Sequence, residues 1–126
     1  MSLATPTLSV INAAGDRQSA QPRHLPGLLE VLHVRRTKMD ALGISLEGIP
    51  GSRSSTVRKA RITFVAEGEP VPRPVLDREA GRMDMYYPAR ERDEVVLLLR
   101  SGKERLCYFW KDGHGDRVRA WLMATN

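Results

Sequence analysis

Two alternating runs of apolar and polar residues near the C-terminus form the clearest pattern in the chain. The runs 104–111 and 117–124 are rich in apolar and aromatic residues and contain both tryptophans, and polar and apolar residues alternate over 117–120. A period of two is typical of β-strands, whose successive side chains point to opposite faces of a sheet. The intervening residues 112–116 are glycine and aspartate with one histidine, a composition typical of turns. The pattern therefore predicts a C-terminal β-hairpin.

A helix is predicted before this hairpin, over residues 88–101. Pro88 suits the first position of a helix, where a backbone N–H would have no intrahelical partner. The acidic residues of the segment 91–94 lie near the N-terminus of the helix and Arg100 lies near its C-terminus, as the helix dipole favours. The buried face would then be formed by Val95, Val96, Leu98 and Leu99.

Shorter alternating runs upstream predict further strands at 44–49, 58–66 and 82–87. Within 58–66, alternate residues are apolar and should share one face of the strand. The segment 50–56 has the composition of a loop, and 68–74 contains three prolines. Because proline cannot donate to a strand ladder, that second segment is expected to be a stiff connection or an edge.

Residues 28–43 support two interpretations. As a strand, the first part of the segment alternates, although Glu30 interrupts its apolar face. As a helix, the spacing of Leu32 and Met39 fits one stripe, but Arg35 falls on the same stripe. The strand is the favoured interpretation.

Residues 1–27 are rich in small polar residues and proline and contain no aromatic residue, which predicts a flexible N-terminal tail. Residues 28–126 would then form a single α+β domain. The order of elements fits a small, mostly antiparallel β-sheet or an OB-like barrel, with one helix before the final hairpin. Ferredoxin-like variants and other small α+β sheets are alternatives.

Composition narrows the class of protein further. The 126-residue chain has 20 Lys and Arg against 15 Asp and Glu, a net charge of +5, which favours phosphate-bearing partners. A lone cysteine, Cys107, excludes an internal disulfide and a cysteine-rich zinc site. No apolar run is long enough to cross a membrane, and the N-terminal residues do not resemble a secretory signal. We therefore expect no membrane association and a cytoplasmic location.

Aromatic and basic side chains concentrate in the C-terminal part of the chain, and a second basic cluster lies at 53–61. Single-stranded nucleic acid is bound by this combination, because cations follow the phosphates and each ring stacked on a base contributes roughly 1–3 kcal/mol. The predicted nucleic-acid-binding residues are Arg53, Arg58, Lys59, Arg61, Tyr86, Tyr87, Trp110, Lys111, Arg117, Arg119 and Trp121.

The register of the hairpin decides which rings share that surface. If Ala120 faces the core, Trp121 and its flanking arginines share the outer face of the last strand. On the neighbouring strand, either Phe109 or the pair Tyr108 and Trp110 joins them. The alternation is compatible with both registers.

Metal binding and catalysis have weak support in the sequence. His114 and two aspartates lie together in the turn 112–116, but their spacing matches no EF-hand loop and no zinc motif. For an enzyme, Cys107 would be the candidate nucleophile and His24, His33 and His114 the candidate bases, but His24 lies in the predicted tail, and no glycine-rich phosphate loop occurs. We therefore expect no metal, no cofactor and no catalytic residue.

The favoured hypothesis is a non-catalytic protein that binds single-stranded DNA or RNA through a basic and aromatic sheet face. The alternative is a protein-interaction module, such as an accessory or inhibitory protein from a mobile element, with the same aromatic hairpin as its interface. Salt dependence would separate the two, because binding to phosphates weakens steeply with salt. A homodimer is a further expectation, since a small sheet with open edges can pair with a second copy.

Overall fold

The computed structural model describes residues 8–13, 27–101 and 104–125. Within these ranges the chain forms eight β-strands, a single 3-10 turn at Ala89–Glu91 and one α-helix, α1, at Arg92–Arg100. The strands are β1 (Leu8–Asn12), β2 (Gly27–Met39), β3 (Gly43–Pro50), β4 (Lys59–Val65), β5 (Val75–Asp77), β6 (Arg82–Pro88), β7 (Glu104–Asp112) and β8 (Val118–Thr125).

These strands belong to one sheet in the order β1-β8-β7-β2-β3-β4-β6-β5. Neighbours are antiparallel except β4 and β6, which run parallel. The sheet curls into a half-barrel with the short helix between β6 and β7. The prediction of a barrel-like α+β fold with one helix is therefore confirmed.

The inner face of the sheet packs against α1. Val95, Leu98 and Leu99 of the helix are buried there, because helical spacing places them on one side. The strands contribute alternate residues to the same core, as their period of two requires. These strand residues include Leu32, Val34, Ile44, Leu46, Ala60, Ile62, Met83, Met85, Tyr87, Cys107, Phe109, Ala120 and Leu122.

The segment that supports two interpretations in the sequence is a strand, β2. One side of β2 pairs with β7 over Gly27–His33, and the other pairs with β3. A bulge between Val34 and Arg36 shifts the register against β3. Such a bulge bends the strand and increases its twist, which suits a sheet that curls.

Glu30, which interrupts the apolar face of β2, is fully buried. Its Oε1 accepts hydrogen bonds from the Thr56 and Val57 N–H groups at 2.8 and 3.0 Å. Its Oε2 lies 3.8 Å from Arg78 Nε. The carboxylate therefore satisfies backbone donors of the loop 51–58 where that loop closes one end of the core.

The predicted helix over 88–101 is found, but it begins later than its sequence indicates. Pro88 is extended and pairs with Val65 of the parallel strand β4. A 3-10 turn follows, and α1 begins at Arg92. Pro88 therefore belongs to the sheet, because the ladder with β4 extends through it. Among the described helices, none has the length and apolar character needed to cross a membrane.

Residues 8–13 fall in the segment 1–27 that its composition assigns to a flexible tail, yet residues 8–12 form the edge strand β1. β1 pairs along its whole length with β8, and the Tyr87 hydroxyl donates a hydrogen bond to Ile11 O at 3.0 Å. This corrects the predicted boundary of the tail. The partners that hold β1 come from distant parts of the chain, so the composition of the segment does not reveal them. The remainder of the segment, up to residue 26, lies outside the described residues.

Replacing Tyr87 with phenylalanine tests the link between the core and β1. Tyr87→Phe keeps the packed ring but removes the donor to Ile11 O, so we expect the free energy of unfolding to fall by about 0.5–1.5 kcal/mol. Urea denaturation followed by tryptophan fluorescence measures the change. Tyr86→Phe, on the other face of the same strand, is the control and should change stability by less than about 0.5 kcal/mol. Equal effects of the two substitutions would contradict a role for the buried hydroxyl.

Candidate binding surface on the outer face of the sheet

The outer face of the sheet, opposite α1, is apolar over β8, β7, β2 and the end of β3. The strand register places Trp121 beside Tyr108 and Val31 in one row across three strands. Side chains on directly paired positions stand about 5 Å apart, so each row forms a continuous strip. Adjacent rows continue the pattern. We call this surface the outer apolar face: Leu29, Val31, His33, Ile49, Leu106, Tyr108, Trp110, Trp121 and Met123.

Tyr108 and Trp121 are stacked on each other across β7 and β8. Their ring centroids are 4.9 Å apart and their planes differ by 5°. The Arg119 guanidinium lies 5.7 Å from the centroid of the Trp121 ring, within the range of cation–π attraction. Partial burial raises the pKa of the Tyr108 phenol. The stack therefore covers one face of each ring, and Arg119 places a cation near the ring of Trp121.

Trp110 and Val31 form the buried part of the outer apolar face, each only 5% exposed. Two glycines make room for them. A Cβ at Gly27 would lie 2.8 Å from Trp110 Nε1, and one at Gly51 would lie 2.6 Å from Val31 Cγ1. Trp110 is a predicted nucleic-acid-binding residue, but the structure packs its ring against the sheet because Gly27 leaves that space open.

The exposed part of the outer apolar face lies on β2 and β3. Leu29 and Ile49 are 43% and 41% exposed, and His33 between them is half-buried. The hydrophobic core on the inner face, which includes residues of α1, forms without these side chains. An apolar sheet face left open to water on a protein of this size is typical of an interaction surface.

Basic residues border this surface at the turn of the hairpin. Arg117 is exposed and Arg119 is half-buried beside the stacked rings, whereas Lys111 is paired with a core residue of β8 and therefore lies on the inner side of the sheet. The same turn carries Asp112 and Asp116. Two cations on this side of the sheet against the two carboxylates of the turn leave no local excess of positive charge.

The second predicted basic cluster is divided by the fold. Arg53 is exposed in the loop before β4, and Arg58 is exposed just ahead of that strand. Lys59 and Arg61 lie on the outer side of β4, where alternate residues point away from the core. The four residues therefore do not line one groove.

Acidic residues of β3 and of the turn that precedes it lie among these cations. Glu47 of β3 is paired with Lys59 in the strand register. Arg61 holds Asp40 in a two-point ion pair, with N–O distances of 2.7 and 2.9 Å. The hydrogen bonds from Arg61 and from the Leu42 N–H hold the pKa of Asp40 well below its usual range. Residues 50–65 contain no acidic residue in the sequence, but the fold places the acidic side chains of Glu47 and Asp40 beside the cations of this segment.

Two neighbouring tyrosines, Tyr86 and Tyr87, lie on opposite faces of the sheet. Tyr87 is fully buried on the inner face, and burial raises the pKa of its phenol. It has no face available to a base, so the prediction is wrong for this residue. Tyr86 lies on the outer face in the row of Gly43, six residues along β3 from Ile49. At about 3.3 Å per residue that is on the order of 20 Å, too far to join the stacked rings.

The turn Asp112–Asp116 has the hydrogen bonds of a hairpin connection. The Asp116 N–H donates to Asp112 Oδ1 at 2.8 Å, and Gly115 has a φ of 78°, which glycine adopts without strain. In the part of the chain that the structure describes, no group of three or more His, Cys, Asp and Glu side chains could hold a metal. Cys107 is buried in the core, and burial raises the pKa of its thiol, which opposes a role as a nucleophile.

The contribution of β2 to this surface is missing from the sequence prediction. Leu29 and Val31 alternate with residues of the inner face, but both faces of β2 are apolar at this point. The hairpin register resolves the remaining choice: Phe109 points inward, whereas Tyr108 and Trp110 point outward. The sequence would predict this surface only if polar and apolar residues alternated along β2, so that its inner and outer faces could be told apart.

No protein-family model, curated protein or solved structure matches this chain. The class of protein is therefore defined by its own geometry. It is a curled α+β sheet packed on one side by a helix, with an apolar and aromatic surface on the other.

The stacked pair Tyr108 and Trp121 should be energetically coupled. Stacked aromatic pairs contribute about 0.5–1.5 kcal/mol beyond the area that they bury, so a double-mutant cycle of Tyr108→Ala and Trp121→Ala should give a coupling energy in that range. Urea denaturation of the four proteins, followed by far-UV circular dichroism, measures it.

The pair Trp121→Ala and Tyr86→Ala is the matched control. Its two rings lie at distant places on the same face, so their effects should add within about 0.5 kcal/mol. A coupling between Tyr108 and Trp121 no larger than that of the control pair would show that the stack does not stabilise the fold.

Proposed function

We propose that the protein is a non-catalytic binding module that docks a partner protein on its outer apolar face. The observation that carries this proposal is the exposure of Leu29 and Ile49 beside the stacked rings of Tyr108 and Trp121. Tryptophan, tyrosine and arginine are the residues that contribute most binding energy at protein interfaces. Here they adjoin exposed aliphatic side chains on a rigid sheet.

The geometry of the rings favours a protein partner over a nucleic acid. Stacking on a base needs a free aromatic face, and Trp121 has one face on Tyr108 with the Arg119 guanidinium near the ring. Trp110 is buried against Gly27. Ring edges and aliphatic groups, by contrast, pack readily against the side chains of another protein.

The surroundings of the surface indicate the chemistry of the partner. Its centre is apolar, so the partner surface should be apolar. Arg117 and Arg119 border it on the side of the hairpin turn. Complementary charge then places acidic residues of the partner at that border, where they increase the rate of association more than the affinity.

A photo-crosslinking amino acid in place of Ile49 tests this proposal in the cell. We expect irradiation to give one major protein adduct, because position 49 lies in the exposed part of the outer apolar face. The same substitution at Leu97, a residue of α1 that is 71% exposed, is the matched control and should not give that adduct. Combining the Ile49 substitution with Tyr108→Ala and Trp121→Ala should reduce the adduct severalfold.

Three results would contradict a protein partner on this face. The first is identical adducts from positions 49 and 97, and the second is no adduct from position 49. The third is an adduct that nuclease treatment removes, which would favour a nucleic acid. An adduct between two copies of the chain would show that the partner on this face is a second copy of the protein, as in a homodimer.

Binding of single-stranded DNA or RNA is the second candidate function, and the position of Arg117 and Arg119 on the strand that carries Trp121 favours it. In this version the curled sheet would act as OB-like barrels do, with strands as the binding face, and the protein would act in the cytoplasm. For single strands, each phosphate contact makes the slope of log K against log salt more negative by about 0.7, so the loss of a contact makes the slope less steep by that amount.

Fluorescence-anisotropy titration of a labelled single strand of about 30 nucleotides tests the second candidate. Replacing Arg117 and Arg119 with glutamine should flatten the salt dependence if both contact phosphates. Arg90→Gln, on the far side of the sheet near α1, is the control and should leave the slope unchanged. An absence of binding at low salt would exclude this function.

A further inference from the structure

β2 extends beyond the strand that lies beside it. β2 has 13 residues, but its pairing with β7 ends at His33. From Arg36 to Met39 it pairs with β3 on one side. On the other side, none of the described strands pairs with this part of β2. We call the segment Arg35–Met39 the free half-edge.

The backbone groups that face the open side can be assigned from the turn that follows. The Asp40 N–H donates to Gly43 O at 2.9 Å, toward β3. Because backbone groups alternate in direction along a strand, Lys38 also directs its N–H and C=O toward β3. Thr37 and Met39 therefore direct theirs to the open side.

Every side chain of the free half-edge is exposed. Arg36 and Lys38 lie on the outer side of the sheet, since Arg36 is paired with Glu47 in the register. Thr37 and Met39 lie on the opposite side of the strand. The open side thus offers backbone groups, with cations above it and small or apolar side chains below.

The edge of the sheet at β5 is protected in a way that the free half-edge is not. β5 has three residues and follows a segment with Pro70, Pro72 and Pro74. Short strands and neighbouring prolines prevent the addition of another strand. The free half-edge contains no proline, and its protection is positive charge alone.

Positive charge on an edge strand selects what can pair with it. In an antiparallel pair of two copies, Arg36 and Lys38 of each copy would face the same cations of the other, and like charges placed opposite one another destabilise a sheet. An acidic strand would instead place carboxylates opposite these cations, and such pairs of opposite charge stabilise a sheet. The charge of the free half-edge therefore excludes a second copy and favours an acidic segment.

We propose that the free half-edge binds an extended acidic segment of a partner protein by strand addition. The Thr37 and Met39 backbone groups supply the ladder hydrogen bonds, which carry the affinity in this mode of recognition. Acidic side chains at alternate positions pair with Arg36 and Lys38, and the intervening apolar side chains contact Met39. The bound segment therefore alternates Glu or Asp with Val or Ile and has no proline. This site is separate from the outer apolar face.

Titration of a fluorescein-labelled peptide of about nine residues that alternates Glu and Val, followed by anisotropy, tests the proposal. We expect saturable binding that weakens with salt. A peptide that alternates Lys and Val, and a Glu–Val peptide with a central proline, should not bind. Hydrogen exchange followed by NMR should show slower exchange at the Thr37 and Met39 amides in the complex, with little change at Lys38, whose amide already faces β3.

Two variants test the two parts of the interaction. Thr37→Pro removes an N–H on the open side and leaves the ladder with β3 intact, so affinity should fall at least tenfold. Arg36→Glu combined with Lys38→Glu should reverse the preference, so that the Lys–Val peptide binds and the Glu–Val peptide does not. Thermal melts followed by circular dichroism verify that each variant is folded.

Trp121→Ala is the control that separates this site from the proposed function, and it should bind the Glu–Val peptide as the unmodified protein does. The proposal is overturned if the Glu–Val peptide fails to bind, or if folded Thr37→Pro binds it normally. It is also overturned if exchange slows at residues outside the free half-edge. If Thr37→Pro does not fold, the charge-reversed variant and the exchange measurement still decide.

Discussion

The pairing of β2 with β7 is the interaction on which the rest of the structure depends. It joins the strands β2, β3 and β4 to the C-terminal pair β7 and β8, and its first pair links Gly27 to Asp112. Bringing Gly27 next to Asp112 closes a long stretch of chain and costs conformational entropy. The ladder must therefore be stabilised by side chains that pack on both faces of the sheet. Leu32 and Cys107 supply that packing on the inner face, and Val31 and Tyr108 supply it on the outer face. The outer apolar face therefore has a structural part, which is buried, and an exposed part beside it.

The end of this ladder carries a buried charge that the fold compensates. β3 stops at Pro50, so beyond that residue β2 has a loop rather than a strand beside it. Glu30 accepts two N–H groups of that loop, and the Val31 N–H donates to Ser55 Oγ at 2.8 Å. Burying a carboxylate is costly unless hydrogen bonds and a counter-charge offset it, and Arg78 supplies the counter-charge. A loop of serine, glycine and arginine is thus fixed against the core by one acidic side chain.

The two proposed binding sites have a common origin in β2. Near its start, β2 is a central strand whose outer side chains are partly exposed, with Leu29 the most exposed of them. Near its end, β2 extends past β7 and becomes an edge with cations on it. One site offers apolar and aromatic side chains, and the other offers backbone groups. A partner that used both would contact a continuous path along a single strand.

The sequence by itself determined the elements whose signals are local. The helix that precedes the last two strands and the strand within 58–66 follow from patterns that a short window contains, although the helix begins at Arg92 rather than at Pro88. Only the tertiary structure decided which apolar face of β2 is inner, which of Tyr86 and Tyr87 is buried, and that Asp40 neutralises Arg61. The physical reason is that these outcomes depend on pairing register, and register joins residues far apart in the chain through hydrogen bonds that no local pattern records.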